Sequence, residues 1–335
     1  MRTALLIITL LAASFTAISQ AYAQQPKQVV MLLWRGVTDS EKGFMEYLSS
    51  QRNVSYTLLD AKRDKQTLAE YVNRIDQYNA DLVYTFGTTT TLALLGTEDK
   101  PTAFRQRNRT PVVFSIVTDP VGSKIISDAT ESPRNFTGVS HIVPHQVQFN
   151  AIQKLPDINT MGVIFNPLEN NAVITAKKIQ RLSAEFDIDV YLYPLKTKQG
   201  KPDPDSLPAV IEAMKQDKVQ LAYLPPDSYI ISQGEAIVES LHNQGIATFS
   251  ATETPIRKHN ALFGIVSRYY NVGEFVGHKA EQILSNNSSA QNLPIEPLSQ
   301  YSYIVNVKAA RTLDYYPPVS ILKISELIGG NEWPE

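Results

Sequence analysis

Two successive series of short, unbroken apolar runs, each run followed by a longer amphipathic one, constrain this chain more than any other feature. In the first series apolar runs fall at 29–34, 82–86 and 111–117, and 54–60 reads as a further strand. Between them, 41–50 carries Phe44, Tyr47 and Leu48 at helical spacing. The segment 65–78 sets Leu68, Tyr71, Val72, Ile75 and Tyr78 on one helical face, and 89–96 reads as a short helix. The rhythm then restarts, with apolar runs at 161–165, 190–193, 221–224, 247–249 and 262–266 and helical segments at 171–186, 207–216 and 232–244. A strand with no polar alternation is buried on both faces, and strands separated by helices form parallel sheets with helices on each side. Two such series predict an α/β chain of two doubly wound parallel-sheet lobes.

The segments beyond residue 266 predict how the lobes are joined. A helix over 272–284, a polar stretch at 285–291, a strand over 303–307 and a helix over 308–313 remain after the second lobe is complete. They imply a return to the first lobe and back, so three crossings form the hinge. The expected division is residues 27–140 with 267–292 in the first lobe and 141–266 with 293–317 in the second. Residues 318–335 are expected to be a C-terminal surface strap, and 198–206, with Pro202 and Pro204, an exposed loop.

The N-terminus predicts export. Arg2 precedes an apolar run over 4–18, and Ala21 and Ala23 form an A-x-A end. That is the pattern of a cleaved signal peptide over 1–23, and the run is short of the ~20 residues a spanning helix needs. The chain has no cysteine. It therefore has no disulfide, and no lipid-bearing cysteine to make it a lipoprotein, so its core alone must hold it in an oxidising compartment. The expected location is the periplasm. Without residues 1–23 the net charge moves from −2 to −3, because only Arg2 is lost. That balance gives no basic field for nucleic acid.

In open α/β sheets ligands bind beyond the carboxyl ends of the strands. The residues there are Arg35 and Gly36, Gly87 to Thr90, and Thr118 with Asp119 in the first lobe. The second lobe offers Asn166, Asp227 and the run Ser250, Ala251, Thr252. Most are small, hydroxylic or amide-bearing, which leaves room for a ligand at helix N-termini where free N–H groups point outward. Thr88, Thr89, Asn170 and Asp227 could equally be plain helix caps, and Asp119-Pro120 a plain turn. Arg35 could clamp a carboxylate bidentately or pair structurally with Asp39 or Asp60. Tyr84, Phe114, Tyr229, Tyr269 and Tyr270 lie near strand ends or crossings and could wall an aromatic ligand, Tyr84 and Phe114 serving equally well as core.

These residues also carry a resemblance. The run Asp81-Leu82-Val83-Tyr84-Thr85-Phe86-Gly87-Thr88 precedes Pro111-Val112-Val113-Phe114 with Thr118-Asp119-Pro120-Val121. Then come Thr137-Gly138-Val139-Ser140, Gly162-Val163-Ile164-Phe165-Asn166-Pro167, Leu224-Pro225-Pro226-Asp227 and Val305-Asn306-Val307-Lys308-Ala309-Ala310. From about residue 29 to 327 the chain resembles the ABC transporter substrate-binding protein family that includes tryptophan and tyrosine receptors. The resemblance implies a type I periplasmic-binding fold with three interlobe crossings and an amino-acid-like, possibly aromatic, ligand. On the matching motifs it implies cleft roles for Thr88, Thr89, Thr118, Asp119, Asn166, Asp227 and Ser250 to Thr252; position adds Arg35, Gly87 and Tyr269. The implied partners are a small-molecule ligand and a permease–ATPase complex at the inner membrane, with the receptor a monomer and no cofactor. The chain departs from the family in lacking the lipoprotein cysteine, in Ala251-Thr252-Glu253 where many members are Asp-rich, and in its Trp34-Arg35-Gly36 opening.

Enzyme signatures are absent: no G-x-S-x-G, Walker A, G-x-G-x-x-G or H-E-x-x-H occurs. His141 and His145 are four apart, but Pro144 between them opposes a shared helical face, so they read as loop histidines and not a metal pair. The expectation is a binding protein that closes on its ligand and does no chemistry. A sensor module for a membrane kinase and an exported enzyme are the alternatives.

Overall fold

The computed structural model describes residues 25–127 and 134–330. The expected signal peptide and the end of the expected strap lie outside the described residues. The first lobe alternates β1 (Lys27–Leu33), α1 (Asp39–Gln51), β2 (Val54–Asp60), α2 (Lys65–Asn73), β3 (Leu82–Phe86), α3 (Gly87–Leu95), α4 (Ala103–Arg107), β4 (Val112–Val117) and β5 (Phe136–Ser140). The second runs α5 (His145–Ile152), β6 (Thr160–Phe165), α6 (Asn170–Leu182), β7 (Asp189–Pro194) and a small hairpin of β8 (Thr197–Lys198) with β9 (Lys201–Pro202). It continues with α7 (Leu207–Gln216), β10 (Leu221–Leu224), α8 (Ser228–Ser232), α9 (Gly234–His242), β11 (Ala247–Ser250), α10 (Glu253–His259) and β12 (Phe263–Val266).

After β12, α11 (Tyr269–Leu284) and β13 (Glu296–Pro297) return to the first lobe, and β14 (Ser302–Asn306), α12 (Val307–Leu313) and β15 (Ser325–Ile328) to the second. The chain thus crosses between sheets three times, around residues 141, 267 and 300. The sheet orders are β13-β5-β4-β3-β1-β2 and β15-β14-β12-β11-β10-β6-β7. Within these two sheets pairing is parallel except between β12 and β14. Each sheet is doubly wound. The order reverses between β1 and β3 in one and between β6 and β10 in the other, and those are the points where such sheets open a crevice.

Unbroken apolar sequence becomes strand here for the expected reason. Every residue of β3, β4, β10 and β12 is buried, and each sheet has an apolar cluster on both faces. The short helices α4, α5 and α10 and the β8–β9 hairpin are not expected from sequence, and three further departures bear on the two main sheets. β5, with Thr137 and Gly138 in its middle, carries no continuous apolar run, yet it is fully buried. Gly138 is required there, since a Cβ would stand 2.3 Å from the Phe114 ring. Residues 293–297 are expected in the second lobe, but β13 hydrogen-bonds along β5 on the first sheet. The tail is more than a strap, because β15 extends the second sheet beside β14.

The return helix α11 is seated on α1 at backbone contact. A Cβ on Gly273 would lie 2.0 Å from the Ser40 carbonyl oxygen, and one on Gly43 2.2 Å from that of Tyr270. Only glycine at both positions lets the two helix backbones approach so closely. This contact fixes where Tyr269, the first residue of α11, enters the hinge.

Candidate functional site

The two crevices face one another across the hinge. From the first lobe the lining comes from the ends of β1 and β3 (Trp34, Arg35, Phe86, Gly87, Thr88 and Thr89), with Ile116 and Thr118 reaching in from β4. The second lobe contributes Glu169 and Asn171 after β6 and Pro226, Asp227, Ser228 and Ile231 after β10. His141 and Tyr269, on two hinge crossings, close the back. The lobes stand nearly shut. The free volume between them is about 30 Å³, room for one or two water molecules.

Arg35 is half-buried, its guanidinium carbon 5.2 Å from the centre of the Phe86 ring, and it faces the Tyr269 hydroxyl. Neither acid considered for it in sequence takes it. Asp60 accepts from the backbone N–H of Gly36 and Lys62, and Asp39 pairs with Lys42. Burial pushes the Tyr269 hydroxyl up to about 12, with Arg35 opposing, so Tyr269 stays a neutral phenol. Trp34, Phe86 and Tyr269 form an aromatic wall around the arginine, each at most 8% exposed. Among the aromatics singled out in sequence, Tyr84 and Phe114 are core, and Tyr270 turns outward to Glu46.

The opposite wall is acidic. Asp227 is 1% exposed and caps α8, its Oδ1 accepting from Tyr229 and Ile230 N–H at 2.9 and 3.0 Å. Its Oδ2 accepts from Asn166 N–H at 2.6 Å. Glu169, 8% exposed, accepts from Ser228 N–H at 2.8 Å and lies against Asp227. Burial first, and the Glu169 charge second, hold the Asp227 carboxyl well above the usual range. An acid raised in this way by burial and a neighbouring carboxylate gains from a cation placed beside it. Cap and ligand acceptor are therefore compatible roles for Asp227, since a carboxylate has about four lone-pair sites.

Backbone strain marks the same place. Ile116 has φ +59°, in the bulge where β4 slips register against β5. A positive φ is a true outlier for a β-branched residue, and such strain collects at binding sites. The bulge turns Ile116 onto the cleft floor.

Of the residues chosen from sequence, Arg35, Gly87, Thr88, Thr89, Thr118, Asp227 and Tyr269 line the cavity. Asn166 lies behind it, donating its backbone N–H to Asp227 and accepting at its side-chain oxygen from Leu168 N–H. Asp119 sits at the rim, where it accepts from Gly122 N–H and pairs across the cleft with Lys178 of α6. Ser250, Ala251 and Thr252 are buried off the cavity, Ser250 and Thr252 bonding each other around the start of α10. Asp119 and the Ser250 run both follow strands one position beyond a switch point. Trp34, His141 and Glu169 line the cavity although the sequence pattern does not single them out as ligand-binding. His141 reads there as a loop residue, and Glu169 lies three residues past Asn166 of the Asn166-Pro167 signature.

The decisive comparison is with the family model for ABC transporter substrate binding proteins, which matches residues 35–326. The chain belongs to that family. A tyrosine-binding protein of Clostridioides difficile is 21% identical over 281 residues, covering 82% of this chain and 76% of that protein. Among solved structures, a conserved domain protein of Vibrio cholerae superposes with a TM-score of 0.78 at 20% identity, covering 91% of this chain and 99% of the other. An ABC domain from Streptococcus pneumonia in complex with L-Trp gives 0.76 at 21% identity, covering 89% and 99%. The fold is that of a two-lobed, type I periplasmic binding protein. Among the described residues no helix is long and apolar enough to cross a membrane.

Proposed function

We propose that this substrate-binding protein is the periplasmic receptor of an importer for an amino acid, held as a zwitterion between the lobes and delivered to a membrane permease and its ATPase. The observation that carries the reading is the opposition of Arg35 in one lobe to Glu169 and Asp227 in the other. The guanidinium suits the ligand carboxylate and the acid pair its ammonium. Neither lobe alone satisfies both charges, so binding rewards closure and shifts the population toward the closed form. Trp34, Phe86 and Tyr269 suit an aromatic side chain. The tyrosine-binding relative and the L-Trp complex support the class of ligand. Export on a cleaved signal peptide over 1–23 is part of the same proposal.

Thermal-shift and calorimetric titration of the mature chain with the proteinogenic amino acids tests this. Arg35→Ala is expected to weaken the best binder by about 2–5 kcal/mol if the pair is desolvated. A ligand without a carboxylate, or unaltered affinity in Arg35→Ala, would refute the charge assignment.

A further inference from the structure

We propose that His141 is a ligand-contacting residue, its neutral imidazole donating a hydrogen bond to the ligand carboxylate beside Arg35; this rests on the amino-acid reading above. His141 follows β5 directly, on the first hinge crossing, and is 1% exposed. Neither ring nitrogen has a hydrogen-bond partner among the described residues. Buried polar side chains are rarely left so, and one that is requires an explanation. The ring lines the same cavity as Arg35 and stands edge-on to Tyr269, with centroids 5.5 Å apart and planes at 76°. That aromatic contact orients the imidazole without consuming its hydrogen bonds.

Charge selects which end of the ligand it meets. Burial, and then the neighbouring guanidinium, pull the imidazole down to about 3, so it is neutral at any pH the periplasm meets. A neutral imidazole offers one N–H donor, and a carboxylate accepts at both oxygens. Arg35 and His141 share the hinge side of the cavity, whereas the acids that would hold the ammonium are on the far lobe. The carboxylate is therefore the group within reach of both. A neutral donor adds directional recognition where a second cation would only add repulsion toward Arg35.

The test uses L-tyrosine and L-tryptophan, with tyramine and tryptamine as their carboxylate-free analogues, against wild type, His141→Phe and His141→Gln. The Phe variant is expected to lose at least tenfold in affinity for the amino acid and nothing for the amine. The Gln variant, which keeps an N–H, is expected to recover most of the loss. The ligand-free melting temperature of His141→Phe should not fall, because an unpartnered buried polar group has been removed. Equal losses on amine and amino acid, or an unchanged amino-acid affinity, overturn the inference while leaving the receptor reading intact. A lower melting temperature with retained affinity makes His141 structural and likewise overturns it. If wild type binds neither amino acid, the aromatic amino-acid reading fails first and takes this inference with it.

Discussion

Replacing Glu169 by glutamine removes one charge from the buried acid pair and almost nothing else. Gln keeps an oxygen for the Ser228 N–H, which Glu169 now accepts at 2.8 and 3.1 Å. Asp227 keeps its three backbone donors. In the ligand-free protein the Asp227 carboxyl is raised, so the folded chain holds a proton that the unfolded chain has released. A raised acid contributes stability that is full below its unfolded value and is lost as pH rises toward its folded one. Wild-type stability should therefore fall with rising pH above the ordinary carboxylate range, by at most about 1.4 kcal/mol per pH unit for one proton. Glu169→Gln removes the repulsion, so it should flatten that slope and leave the ligand-free protein at pH 8 as stable as wild type or more so. An ammonium held by the pair reverses the balance, and there the variant should lose about 2–5 kcal/mol of affinity. Ligand binding to wild type should also release a proton, because the ammonium replaces it, and affinity should rise with pH over the same window. Thermal melts across pH and calorimetry in buffers of different ionisation enthalpy read all three quantities. A variant that is less stable without ligand yet binds as wild type does would refute the reasoning, and so would binding without proton release.

The rim pair Asp119–Lys178 joins the two lobes but leaves Lys178 46% exposed, so Lys178→Ala should cost only about 0–1 kcal/mol of ligand affinity. Titrations at low and high salt check this, and the wild-type advantage should shrink as screening grows; a tenfold loss that survives high salt would show that the pair is no screened rim contact. Gly273→Ala would drive a Cβ into the Ser40 carbonyl and should destabilise by about 1–3 kcal/mol, a fall of several degrees at about 2–4 °C per kcal/mol. A melting curve superposing on wild type would show that α11 and α1 separate freely.

Much of the fold was legible because burial on both faces writes itself into sequence as unbroken apolar runs. β1, β3, β4, β6 and β10 are such runs. β5 was hidden by Thr137, whose hydroxyl donates to the Leu293 and Pro294 carbonyls, and by Gly138, whose lack of a Cβ admits the Phe114 ring. β15 was hidden because only Leu327 and Ile328 of its four residues are apolar. It is an edge strand with one partner, and no period in the sequence announces it.

The site was half legible for a more specific reason. A sequence shows where strands end, but it does not show which strands are neighbours. Asp119 and Asp227 look alike in sequence, each an acid a few residues past an apolar run with proline beside it. Strand order separates them. Asp227 follows β10, which flanks the reversal in its sheet, and Asp119 follows β4, one strand outside the reversal in the other. The same displacement puts Ser250 to Thr252, at the end of β11, behind the wall instead of in it. Arg35 and Gly87 follow β1 and β3, the two strands at the first reversal, and Glu169 enters from the loop after β6, beside the second. The cleft is thus lined chiefly from four strand ends, two per lobe, and the positive and negative groups fall on opposite pairs. That arrangement comes from the order of the strands, so opposite charge across the hinge becomes visible only once both sheets are assembled and the three crossings hold them face to face.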